Sequence, residues 1–390
     1  MKRRTFVKSA WLGALGWFAK AAKVRGQKEK DFVYPPPPPI KTHGAPGYKL
    51  SPLGMPGLFP GRVVEVTDPR AISDYRVSQP IVRRMLEHGI KELTGKSSIE
   101  DAWSLFVEPK DIVGIKINPS GAPACCSSPE IVCEIIRALE MVGVPANNIV
   151  VYDRYSHEIQ LGSYRAFLPL GVRLVGIEKG SFDVSGYDMN VYCDANFFGE
   201  WETRSYLAKV VSEEVTKIIS VPTLKDHSAA GVTGCLKNAA YGSFNNVGRS
   251  HHEPVTYTDP LIGIMCTVEP LRSKVVLNVM DGMREVWHGG PLTQVRDFIA
   301  QPGKLFLGTD PVAVDTIELH TIEKKRQAEG ALSLWDRNPA NLTRSSNVFY
   351  HDCHKNLFYR QPAHIAAAGK LGLGISDPKR IDHRQINLGA

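Results

Sequence analysis

The residues best suited to chemistry lie together, in a stretch reading Lys225-Asp226-His227-Ser228-Ala229-Ala230-Gly231-Val232-Thr233-Gly234-Cys235-Leu236-Lys237-Asn238. It gathers cations and backbone N–H groups in one short loop. Gly231 and Gly234 let the backbone approach a ligand, and a helix starting behind them favours an anion at its N-terminus. A lysine in such a place clamps a carboxylate or, when desolvated, acts as a nucleophile. His227 titrates near neutrality and suits proton transfer. Lys225, Thr233, Lys237, Asn238 and the two glycines are therefore expected to hold an anionic ligand or a cofactor. His251 and His252 are of the type that binds a transition metal. His157 and Asp281, each placed after an apolar strand, complete the expected catalytic set with His227. The plainer alternative has Lys237 paired with a carboxylate and His227 bonded to a backbone carbonyl. Asp310 and Asp315 read equally well as helix-capping groups, and His43, His88, His364 and His383 read as surface residues.

The seven cysteines point elsewhere than to metal clusters. Their count is odd and their spacing irregular, which is no disulfide framework. No C-x-x-C pair occurs, so a four-cysteine zinc site, c-type haem attachment and a ferredoxin-type cluster are not signalled. Cys125-Cys126 reads as buried thiols in a loop. In His351-Asp352-Cys353-His354, only His351 and Cys353 would share a face if the segment were extended.

Strands and helices must position these groups. A helix is expected over 79–93, where Ile81, Met85, Leu86 and Ile90 recur on one face. An apolar strand over 111–118, a Gly/Pro/Ser/Cys loop to 128, a helix with proline in its first turn over 129–142 and a strand over 148–153 make a βαβ unit. Such a unit implies a parallel sheet with a right-handed crossover. Further strands are expected over 172–178, 216–221, 274–280 and 305–308, and a long helix over 312–326. The fold class is α/β, two-lobed, with mostly parallel sheets. The polar clusters follow strands, where ligand crevices of open α/β sheets lie.

The chain has 390 residues and a formal charge of +7, but the charge is local. Residues 1–30 hold nine Lys and Arg against Glu29 alone, leaving the rest close to neutral. A neutral body argues against nucleic-acid binding through a broad basic face. The leader joins Lys2-Arg3-Arg4-Thr5-Phe6-Val7-Lys8 to an apolar stretch over 10–19, which at about 15 Å of helix is half the ~30 Å hydrocarbon core and no stable membrane span. Ala19-Lys20-Ala21 offers a small-x-small cleavage site. Residues 1–21 are expected to be a signal peptide and 22–60, with five consecutive prolines from Pro35, a linker. The body then covers 61–390, with possible lobes 61–210 and 211–390.

Several of these segments resemble known families. The paired arginines resemble the twin-arginine (Tat) signal, which implies export of the folded protein to the periplasm by the Tat translocase. The ordered set GIKINPS, SSPEIVCEIIRALEMVGV, IISVPTLKDHSAAGVTGCLKNAAYG, NVMDGMREVWHGGP, LGTDPVAVDTIEL and AAGKLGLG resembles the bacterial and archaeal domain-of-unknown-function family 362 over about residues 110–376. Many members carry an added ferredoxin domain, whose cysteines this chain lacks. The stretch from His227 to Lys237 also resembles the loop of nickel-pincer lactate racemases. That likeness implies acid/base roles for His227 and His157, a covalently held pyridinium-derived cofactor on Lys237 and nickel on His251 or His252. The chain departs from those enzymes at Cys235, which replaces a glycine, and at Asn118-Pro119-Ser120, where a phosphate-binding stretch is expected. The resulting expectation is a periplasmic metal- or cofactor-dependent enzyme acting on a small carboxylate by isomerase-type chemistry. An exported oxidoreductase and a non-enzymatic ligand- or metal-binding protein are the alternatives.

Overall fold

The computed structural model describes residues 35–180, 183–251 and 255–389. The expected signal peptide, its Tat-like arginines and His252 lie outside the described residues. Eleven strands form one mixed, mostly parallel sheet. Its main path uses β2 (Arg62–Thr67), β3 (Val113–Lys116), β4 (Ile149–Tyr155), β5 (Arg173–Glu178), β8 (Lys217–Ser220), β11 (Val275–Val286), β12 (Lys304–Gly308) and β13 (Asp382–Asn387) in the order β13-β2-β12-β11-β8-β3-β4-β5. From β11 to β5 each neighbouring pair is parallel, whereas β12 runs antiparallel to both β11 and β2. The eleven-stranded sheet draws strands from both sides of residue 210, since β8 pairs directly with β3.

Strand alternation explains why helices cover both faces. Ile149 and Val151 of β4 enter one apolar cluster, with Met85 and Leu86 of α1 (Gln79–Thr94) and Ile131 and Ile135 of α2 (Pro129–Met141). Val150 and Tyr152 enter the other. There they join Leu236 of α4 (Gly234–Tyr241), Ile262 of α5 (Thr258–Cys266) and Val314 of α6 (Pro311–Ala328). Strands buried on both sides read as continuous apolar runs, which is how β3, β4 and β8 are legible in the sequence. The expected βαβ unit is present, with β3 and β4 parallel neighbours.

Two features differ from the sequence expectation. β11 does not stop at Asp281 but continues to Val286, because β9 (Thr223–His227), itself paired with the short β10 (Gly231–Val232), pairs with its second half. Packed structure also begins before residue 61. β1 (Lys41–His43) adds to β6 (Tyr187–Asp194), which pairs in turn with β7 (Arg204–Ala208). Met55 is fully buried and its N–H donates to the Arg272 carbonyl. A few apolar anchors and backbone hydrogen bonds hold this segment, too sparse a signal to emerge from its proline- and glycine-rich composition.

Candidate functional site

The C-terminal ends of β3, β4 and β9 converge on a cavity of about 320 Å³. Lys116 closes β3 and is followed by Asn118 and Ser120; Asp153, Arg154 and Tyr155 come from the end of β4. Glu158 is on α3 (Ser156–Leu161), His227 ends β9, Lys237, Asn238 and Tyr241 are on α4, and His251 arrives from a later turn. This volume lies at the small end of the roughly 300–1,000 Å³ range of small-molecule pockets.

Of the expected ligand-holding residues, Lys237, Thr233 and Asn238 line the cavity, as do His227 and His251. Thr233 Oγ1 is buried with no hydrogen-bond partner among the described residues. Lys237 has neither a hydrogen bond nor a carboxylate partner among them. Its Nζ sits 4.9 Å from the centroid of the Tyr241 ring. Burial, reinforced by the charges of Lys225 and Lys116, brings the Lys237 amine down to about 7. The other cations on the cavity wall are already engaged. Lys116 contacts the Asp153 carboxylate and donates to the Ile117 carbonyl at 2.6 Å, and Arg154 pairs with Glu178 at 2.7 Å. Glu158 accepts from Ser120 Oγ at 3.4 Å, and burial together with the Asp153 charge raises its carboxyl above the usual range.

His227 has a fixed tautomer. Its Nδ1 accepts the backbone N–H groups of Ala229 and Ala230, each at 3.1 Å. A ring nitrogen that accepts cannot carry the proton, so the neutral imidazole holds it on Nε2. Burial and the Lys237 charge push its pKa well below the ordinary histidine value. His227 is therefore a hydrogen-bond donor rather than a base. His251 has the opposite arrangement, because its Nδ1 lies 3.3 Å from the Val247 carbonyl, which only accepts. The His251 ring stands 5.2 Å from Tyr241, edge to face, so the Tyr241 ring supports both His251 and Lys237.

Other expected residues serve the scaffold. Lys225 does not line the cavity. It is fully buried, and its ammonium donates to Asn118 Oδ1 at 2.8 Å and the Ser120 carbonyl at 2.7 Å, fixing the loop after β3. His157 is exposed against Tyr155, and its neighbour Glu158 reaches the cavity instead. Asp281 lies away from the cavity, within β11, where its carboxylate accepts from the N–H groups of Ser128 and Met283 at 2.6 and 2.8 Å. It anchors the start of α2. The glycines make room for protein rather than ligand. Gly231 has φ +83° and a Cβ there would lie 2.3 Å from Pro362, while Gly234 has φ +62° and would meet the Asp315 carboxylate at 2.4 Å. That carboxylate accepts the N–H groups of Cys235 and Leu236, so the anion at the start of α4 is an internal side chain. His364, expected at the surface, is fully buried.

Sequence reading passed over Lys116, Asp153 and Glu158. Their only signal was position at strand ends, which becomes specific once β3 and β4 are known to be neighbours. Cys235 is buried outside the cavity, and burial likewise raises Cys125 and Cys126, the latter to about 11. All seven cysteines are free thiols. Among the described residues no group of three or more His, Cys, Asp or Glu side chains is arranged to hold a metal ion.

The fold and cavity define an α/β protein with a cationic crevice at the carboxyl ends of parallel strands. Residues 113–320 match the family described as domain of unknown function (DUF362), and the chain belongs to that family. Comparison with curated proteins finds no match. No helix of the described residues is long and apolar enough to cross a membrane.

Proposed function

We propose that this protein is an exported enzyme that binds a small carboxylate in the cavity and moves a proton on it, an isomerase-type reaction. The observation that carries the reading is the Lys237 amine, without a counter-ion among the described residues and beside Thr233 Oγ1 and His227 Nε2–H in one small cavity. An anion entering there gains a charge-assisted bond to Lys237 and relieves its repulsion with Lys116 and Lys225. Thr233 and His227 add neutral donors. The His227 N–H suits an oxygen on which negative charge develops, since a preorganised neutral donor stabilises an oxyanion without first losing its own proton.

Proton movement falls to the remaining wall. Burial and the Asp153 charge hold the Glu158 carboxyl above the ordinary carboxylate range, which favours its protonated, acid form. His251 stands on the same cavity wall, with its Nδ1 toward the Val247 carbonyl. Export is part of the proposal and rests on Arg3, Arg4 and the basic leader. The enzymatic reading is tested by incubating the protein with a panel of small 2-hydroxy and 2-oxo acids in deuterated water and following exchange at the carbon beside the carboxylate by NMR. The proposal expects protein-dependent exchange that is lost in Glu158→Gln. Exchange unchanged in that variant removes Glu158 from the chemistry, and binding without exchange leaves a ligand-binding protein.

A further inference from the structure

We propose that Lys237 is a nucleophile as well as an anion contact, and that the ligand is a small acid bearing an aldehyde or ketone group, held as an imine on Lys237 Nζ. This inference rests on the carboxylate reading above and adds the carbonyl group.

Three arrangements carry it. Lys237 Nζ lies over the Tyr241 ring and makes no hydrogen bond or ion pair among the described residues, so the Glu158 and Asp153 carboxylates favour its ammonium form only from a distance. The nearby cations favour the neutral amine: Lys225 and Lys116 are buried, and their own bonds keep both close to the cavity. Burial, reinforced by that repulsion, brings the amine to about 7, so a large fraction carries a lone pair at neutral pH. The cavity also supplies the other groups that imine formation needs. His227 Nε2–H can donate to the carbonyl oxygen as the amine attacks, and Glu158 can give a proton to the departing hydroxyl.

The step balances without an oxidant or reductant. The Lys237 nitrogen lone pair forms a bond to the carbonyl carbon, and the carbonyl π pair moves to oxygen. A proton passes from nitrogen to that oxygen, giving a carbinolamine. Glu158 protonates the hydroxyl, the carbon–oxygen bond breaks with loss of water, and the nitrogen lone pair closes the iminium. The cationic iminium withdraws electrons from the adjacent carbon, which eases removal of its proton and links the imine to the isomerase-type reading.

The test uses the full chain with pyruvate or glyoxylate and cyanoborohydride at neutral pH, read by intact mass and peptide mapping. The expected result is one reduced adduct per chain on Lys237, absent in Lys237→Arg, which keeps a cation but has no nucleophilic amine. Thermal unfolding of the variant checks that it folds, and the wild-type mapping stands on its own if it does not. Calorimetry with propanoate, a carboxylate without a carbonyl, separates this inference from the reading beneath it. Lys237-dependent propanoate binding with no adduct on Lys237 overturns the imine alone. No propanoate binding and no adduct overturns both. Adducts spread over many lysines without preference for Lys237 also overturn the imine.

Discussion

The imidazoles of His227 and His251 stand 5.3 Å apart with their planes tilted by 40°, and they hold their protons on opposite nitrogens. His227 accepts two backbone N–H groups at Nδ1 and keeps its proton on Nε2. His251 directs Nδ1 to the Val247 carbonyl. One cavity wall thus presents two histidines with different capacities, and the backbone around each sets the difference.

The first prediction concerns that tautomer. Nitrogen-15 NMR should find His227 neutral and protonated on Nε2 under conditions where an ordinary histidine is already charged, because burial pushes its pKa well down. His227→Gln keeps an N–H donor and should retain much of the turnover. His227→Ala should lose about 10²–10³-fold, the usual effect of removing one oxyanion donor. Equal losses in the two variants would point to a base instead.

Lys237 should stand out chemically. With its amine near 7 against about 10.4 for an ordinary lysine, its neutral fraction at pH 7 is roughly a thousandfold larger. A trace of an amine-reactive acylating reagent should label Lys237 ahead of exposed lysines, with the rate rising through pH 7 and then levelling. Labelling that climbs steadily to pH 10 would show an ordinary amine.

Gly242 tests the buried pair behind the site. A Cβ there would lie 2.0 Å from Lys116 Cε and 2.9 Å from Asp153 Oδ1. Its φ of −87° makes the effect of Gly242→Ala purely steric. The variant should lose about 1–3 kcal/mol of stability in denaturant unfolding, as overpacked cores do, together with ligand affinity. Unchanged values would mean that the Lys116–Asp153 pair is easily displaced.

Acid sensitivity should trace to buried histidines. Burial holds His364 at about 3, against about 6.5 for a free histidine. Between those values the unfolded chain binds a proton that the folded chain does not. The stability associated with His364 is thus fully present above pH 6.5 and is lost as pH falls toward 3. His364→Gln should flatten the decline in melting temperature between pH 6.5 and 4. The same steepness in both proteins would assign the decline to other groups.

Much of the frame was legible because strands buried on both faces leave unbroken apolar runs, and because α1 and α2 show helical periodicity. Lys237, His227 and Thr233 were legible as a loop following a strand. Lys225 and the glycines were misjudged for one reason: residues near a ligand and residues near other protein groups look alike in sequence. Only the fold shows that the Asp315 carboxylate already occupies the start of α4 and that Asn118 takes the Lys225 ammonium. Glu158 was hidden by its neighbour, since on α3 a shift of one residue turns His157 outward and Glu158 inward.

The central claim is that the cavity receives a carboxylate on Lys237. Titration calorimetry of propanoate into wild-type protein and Lys237→Met at pH 6 tests it most directly, because the amine is charged below its value near 7. The account predicts one anion bound per chain and about tenfold or greater weakening in the variant, the expected size of a hydrogen bond to a charged group. It also predicts that wild-type binding takes up a proton when repeated at pH 8. Equal affinity in the two proteins, or the absence of binding to either, would contradict it.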